Sequence, residues 1–159
     1  MSEPKRPAAL APAAVKIRKG SSYPEPWRRS CGEREKQALG DAAGLTAYGV
    51  NLVRLPPGAL SSQRHWHSHE EEFVYLLEGE LTLVTDAGEQ QLSAGMCAGF
   101  PAGSGDGHHL VNNSDAWAVY LEIGDRSDDD EVVYPDIDLF LPSASSGKRG
   151  FTRKNGEPY

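Results

Sequence analysis

The sequence predicts an all-β domain of the sandwich or barrel kind, and three observations carry that expectation. Eleven prolines, seventeen glycines and only 8% aromatic residues describe a chain of many turns and short elements. Several short stretches are rich in strand formers and alternate in polarity. Turn residues separate them at short, regular intervals, as in packed or closed antiparallel sheets. A length of 159 residues suffices for one domain with a proper core and is short for two.

Residues 1–44 read as an N-terminal arm, Pro/Ala-rich and basic, partly irregular, with a short strand expected around Val15 to Ile17 and a helical turn within Glu33 to Ala43. Ala47 to Leu55 alternates, placing Tyr48, Val50, Leu52 and Arg54 on one side and Val53 and Leu55 on the other, and stops at Pro56-Pro57-Gly58. Glu72 to Leu77 and Glu80 to Thr85 flank Glu78-Gly79 and read as hairpin partners. Asp86-Ala87-Gly88 forms the next turn; Glu89 to Leu92, Gly95 to Phe100, His108 to Val111 and Ala116 to Ile123 complete the series. The β domain is thus expected over 45–124, with a C-terminal extension over 125–159 that begins acidic and ends basic.

A formal charge of −7 argues against nucleic-acid binding. No apolar run approaches the roughly 20 residues that span a bilayer. The stretch PAALAPAAV from Pro7 to Val15 is broken by Pro12 and makes a poor secretory leader, so the expectation is a soluble cytoplasmic protein. Cys31 and Cys97 lie far apart, outside any CxxC spacing, and read as ordinary small residues, Cys97 as a buried one.

The chemistry concentrates in residues 65–73, HWHSHEEEF. On a strand, His65 and His67 share a face. Ser68 to Glu71 then makes a polar turn, and Glu72 opens a second strand facing the same cavity. His108 offers a further imidazole, with Leu110 and Asn112 on its face. Three imidazoles and one carboxylate suit Fe, Mn, Ni, Cu or Zn and leave positions open for water or substrate.

Here the chain resembles the cupin superfamily. Gly58, His65, His67, Glu72 and Gly79 follow the first cupin motif; Gly95, Pro101, Gly103, His108 and Asn112 follow the second. The turn between Gly58 and His65 is one residue longer than usual and that between Gly103 and His108 two longer. Counting back from Asn112 assigns His108 as a ligand, the preferred register; counting back from Asn113 would assign His109. The resemblance implies a cupin jelly-roll barrel (a double-stranded β-helix) with a single divalent transition metal (Fe, Mn, Zn or Ni) on His65, His67, Glu72 and His108. A homodimer joined through an N-terminal strand and the sheet edge is also implied.

Plainer roles are expected for the neighbours. His69 reads as a surface histidine or one that supports a ligand, Glu70 and Glu71 as solvated turn carboxylates, Trp66 and Phe73 as core or interface packing, and Tyr75, Trp117 and Tyr120 as packing. Asp106 belongs to a turn. Between residues 37 and 124 the only Lys or Arg residues are Arg54 and Arg64, against eleven Asp and Glu. An anionic substrate therefore needs the metal, Arg54, Arg64 or an arm; Arg54 either lines the cavity or snorkels outward.

Function is expected to be that of a metal-dependent enzyme on a small oxygenated substrate, resembling sugar-phosphate isomerases or, with Fe(II), a dioxygenase. Glu72 is the candidate proton carrier and Arg54 or Arg64 the substrate-binding cations. A non-catalytic small-molecule-binding or sensing cupin is the alternative, since fold alone does not choose.

Overall fold

The computed structural model describes residues 9–148 and 150–159. Lys5, Arg6 and the start of the Pro7–Val15 stretch lie outside the described residues. In chain order the strands are β1 (Arg18–Lys19), β2 (Glu35–Ala38), β3 (Tyr48–Leu55), β4 (Trp66–His67), β5 (Glu72–Glu78), β6 (Glu80–Thr85), β7 (Gly88–Ser93), β8 (Cys97–Phe100), β9 (His109–Val111), β10 (Ala118–Asp125), β11 (Val132–Val133) and β12 (Phe140–Leu141). A five-residue helix, α1 (Leu39–Ala43), links β2 to β3.

Three antiparallel sheets result. The largest runs β1-β2-β3-β10-β5-β8; the others run β7-β6-β9 and β12-β11-β4. Their inner faces make a jelly-roll core that includes Val53, Leu55, Leu76, Leu81, Leu110 and Tyr120, these six each at most 4% exposed. Burying an aliphatic side chain of this size contributes about 1.5–3 kcal/mol before entropic costs. Among the described residues, hydrogen bonding leaves these as three separate sheets and does not close them into one continuous barrel.

Two expectations about pairing are corrected. Glu72–Glu78 and Glu80–Thr85 are strands, but they do not form a hairpin: β5 pairs with β10 and β8, and β6 with β7 and β9. Gly79, at φ +82°, turns the chain from one sheet into the other. Nor are β4 and β5 neighbours in a ladder, since β4 pairs with β11; His67 and Glu72 approach from different sheets.

The described parts of both arms are built into the fold. The expected helical turn within 33–43 is half strand: β2 pairs with β3, matching Glu35 with Arg54 and Gln37 with Leu52. The expected strand at 15–17 appears slightly later, as β1 against β2. Tyr23 and Cys31 join Val132, Tyr134 and Leu139 in a second core. Among the described residues no helix is long and apolar enough to cross a membrane.

Candidate metal centre

His65 and His67 flank the start of β4, and their alternation sends both rings into one cavity, centroids 5.1 Å apart. Glu72, the first residue of β5, meets them there: its Oε2 lies 3.4 Å from His65 Nε2 and 3.5 Å from His67 Nε2. The donor atoms of these three residues all fall within 4.8 Å of one another. His108 is fixed by a two-way backbone bridge to His65, and its Nε2 lies 2.8 Å from the same Glu72 oxygen. Phe100 stacks on the His108 ring at 3.6 Å and 2°.

The opposite ring nitrogens identify what this arrangement can hold. His65 Nδ1 lies 2.8 Å from the carbonyl of Gln63, and His67 Nδ1 lies 2.6 Å from Asp130 Oδ2. A proton on Nδ1 satisfies each acceptor and leaves the Nε2 lone pair facing Glu72, the tautomer a metal requires. His108 Nδ1 is buried and has no hydrogen-bond partner among the described residues. The donor set and its supports therefore fit a divalent transition metal.

Electrostatics agree. Burial alone would raise the Glu72 carboxyl, but hydrogen bonds from His108 and His65, with the charges of His65 and His67, hold it well below the usual carboxylate range. Burial pulls His65 down, yet Glu72 outweighs it and leaves this imidazole above its ordinary value. His108 is lowered, chiefly by burial, with Glu72 opposing only in part. Glu72 is thus an ionised carboxylate among imidazoles, ready to exchange their protons for a cation.

His108 points its Nε2 at Glu72, whereas His109 turns its Nδ1 to the carbonyl of Ser62 at 3.2 Å. His69 is exposed beside Ser68. Asp106 accepts from the backbone of Asp86 within its turn, and Tyr120 is core at 1% exposure.

Other expectations need correction. Arg54 does not reach the site; its Nη1 donates to Gln37 Oε1 at 2.7 Å across the β2–β3 pair. Arg64 is held by both oxygens of Asp136 at 2.7 Å and by Asp86, so neither arginine is free to clamp a substrate in the cavity. Glu70 is not simply solvated: it accepts from the Ser127 backbone and lies 3.8 Å from His67 Nδ1. Cys97 is exposed, while Cys31 is the buried cysteine. Phe73, Tyr75 and Trp117 are 38–46% exposed, so none of the three belongs to the core of the single chain.

Above Glu72 and His65 opens a cavity of about 190 Å³, bordered by Arg34, Lys36, Glu122 and Tyr134. These residues, with Asp130, escaped sequence reasoning. Arg34 and Lys36 lie in a polar stretch with little strand propensity, and Asp130 is one of three consecutive aspartates with nothing local to single it out.

The Cupin domain family profile matches residues 51–124. Among solved structures, a sugar phosphate isomerase from a cupin superfamily of Silicibacter pomeroyi is 44% identical, covering 95% of this chain and 96% of its own, at a TM-score of 0.89. A candidate sugar phosphate isomerase from Acidithiobacillus ferrooxidans is 32% identical over 80% of each chain, at 0.71. A candidate oxalate decarboxylase from Thermotoga maritima, 21% identical at 0.62, shares the fold. No curated protein matches the sequence.

Proposed function

The chain belongs to the cupin superfamily, and on that premise we propose that it is a metal-dependent enzyme that interconverts the aldose and ketose forms of a sugar phosphate. One observation carries the reading: an ionised carboxylate, Glu72, sits among three imidazole Nε2 atoms on the floor of a polar cavity large enough for a small substrate. The relatives that span most of this chain support the same substrate class.

A divalent transition metal (Fe, Mn, Zn or Ni) on His65, His67, Glu72 and His108 would polarise a substrate carbonyl or hydroxyl oxygen and stabilise the charge that develops there. Asp130 and the Gln63 carbonyl hold His67 and His65 in the orientation that this requires. Glu72, kept ionised by its neighbours, would carry a proton between adjacent substrate carbons once displaced from the metal by substrate. Glu122 opens a second carboxylate onto the cavity.

Proton NMR on a panel of aldose and ketose phosphates, with the metal found by elemental analysis, tests the reading. Interconversion is expected in the metal-loaded protein, falling at least about a hundredfold in Glu72→Gln and vanishing with the metal in His67→Ala. A metal-loaded protein that binds these compounds without converting any of them would instead be a binding module.

We infer further that two copies pair across the outward face of β5. Phe73, Tyr75 and Leu77, at alternate positions, are 38%, 39% and 40% exposed, an apolar stripe rather than scattered residues, and self-complementary pairing is the common way to cover such a stripe. Light scattering should give a dimer mass for the wild type and a monomer mass for Tyr75→Lys; a monomeric wild type would refute the pairing.

A further inference from the structure

The cavity above Glu72 carries its own cations, and they come from the N-terminal arm. Arg34 and Lys36 are two residues apart at the start of β2, so both face the same side of the strand. Both border the cavity, together with Ser21, Ser22 and Ser62.

Arg34 is fixed without being neutralised. Its Nη2 donates to the carbonyl of Gly20 at 3.2 Å and its Nη1 to the carbonyl of Ser61. Among the described residues its buried Nε has no hydrogen-bond partner, and no carboxylate pairs with the guanidinium. Each Nη also keeps a second N–H beyond its bond to a carbonyl, and guanidinium donors left over in this way are suited to phosphate oxygens. Lys36, by contrast, holds Glu122 at 2.5 Å.

Charge balance narrows the ligand. Arg34 and Lys36 offset Glu72 and Glu122, so the cavity is neutral by itself and carries two positive charges once a divalent ion is bound. A phosphate monoester, at about −1.5 to −2 near neutral pH, matches that excess. Size narrows it further: about 190 Å³ falls below the roughly 300–1,000 Å³ of drug-sized sites, which favours a monosaccharide phosphate over a nucleotide-linked sugar.

We propose that Arg34, aided by Lys36 and the serine hydroxyls beside them, forms the phosphate subsite of this cavity. The assignment of a sugar to the other end rests on the isomerase reading; the anion subsite itself does not. It replaces the role expected of Arg54 and Arg64.

Calorimetric titration of the full chain with ribose 5-phosphate, and with ribose, tests the proposal in metal-loaded and metal-stripped protein. The phosphate should bind and ribose far more weakly. Arg34→Gln should weaken ribose 5-phosphate binding roughly ten- to hundredfold, Arg34→Lys should recover part of the loss, and Arg54→Gln should bind as the wild type does. Metal content should be the same in all three variants. Because Arg34 also ties Gly20 to Ser61, Lys36→Met is a second probe that breaks no backbone contact and should weaken binding several-fold; if Arg34→Gln fails to fold, Lys36→Met decides alone. Wild-type affinity in a folded Arg34→Gln or, failing that, in Lys36→Met would overturn the subsite, as would equal affinity for ribose and its phosphate. If the protein holds no metal yet loses ribose 5-phosphate binding with Arg34→Gln, the isomerase reading fails and the subsite stands.

Discussion

Asp130 lies 63 residues from His67 in the chain, yet its Oδ2 is 2.6 Å from the His67 ring. Its other oxygen accepts from the backbone N–H groups of His69 and Glu70 at 2.8 and 3.1 Å. Partial burial alone would raise this carboxyl, but the bond from His67 and those backbone donors outweigh it and hold the group below its ordinary range. Asp130→Ala should therefore lower metal affinity about 10–100-fold, measured by titration against a competing chelator; unchanged affinity would show that His67 is oriented by something else. That His65, His67, Glu72 and His108 would meet in one cavity was legible, because strand alternation and motif spacing bring them together. Asp130 was not, since its role exists only after long-range folding. Arg64 teaches the converse: read as a substrate clamp, it serves a surface ion pair and holds the Gly107 carbonyl just before His108. Hydrogen bonds from Arg64 depress the Asp136 carboxyl below its ordinary value of 3.8. A carboxylate lowered in the folded state contributes stability above the unfolded value, and that contribution is lost as pH falls through the folded one. Arg64→Gln should thus cost at most about 1 kcal/mol near neutral pH, because Asp136 is 55% exposed and screened. The gap between variant and wild-type melting temperatures should close only below about pH 3.8, and a gap that widens in acid would contradict the pairing.

Strands were legible where alternation is strong, as in β5, whose Val74 and Leu76 are buried between exposed Phe73, Tyr75 and Leu77. Their partners were less so. Two strands around a short Glu-Gly turn look alike in sequence whether the chain folds back or crosses to another sheet, and here it crosses. The deciding contact is remote: a Cβ on Gly79 would lie 3.0 Å from the Trp117 carbonyl oxygen and 3.1 Å from Ala118 Cα, so β10 has closed over the corner. Gly79→Ala combines that crowding with a backbone at φ +82° and should cost about 1–3 kcal/mol in chemical denaturation. Gly88→Ala is the comparison, since nothing lies within 4 Å of its added Cβ; only backbone strain acts there, and the smaller loss is expected. Equal losses would mean that the approach of β10 does not matter. The strand β2 was missed for a different reason. Its EKQA sequence has little strand propensity, and its conformation is imposed by the ladder with β3 and by Gln37, whose Nε2 donates to the carbonyls of Pro12 and Val15 at 2.6 and 2.7 Å.

At the scale of the molecule, sequence composition divided the chain into a domain and two arms, whereas the structure makes the arms the roof of the site. The N-terminal segment brings Arg34 and Lys36 to the cavity; the C-terminal one brings Tyr134, with its ring 5.8 Å from that of His65, and Asp130. Basic and acidic runs look like solvated tails until their few apolar residues find each other, and Tyr23, Cys31, Val132, Tyr134 and Leu139 do so here. This second core carries β11, which pairs Val132 with His67 and Val133 with Trp66. The candidate metal centre should therefore depend on a packing layer that contributes none of its four donor residues. Leu139 is fully buried and Leu81, in the first core, is 1% exposed; replacing either with alanine should cost about 2–5 kcal/mol, read from denaturant unfolding. The two variants should part in metal affinity. Leu139→Ala loosens the strand that seats His67 and is expected to weaken binding by roughly tenfold, the lower end of the loss for disturbed ligand supports. Leu81→Ala lies on β6, which bears no ligand, and the folded fraction should bind as the wild type does. Equal weakening in both would mean that the centre senses stability as a whole and not the layer beneath β4.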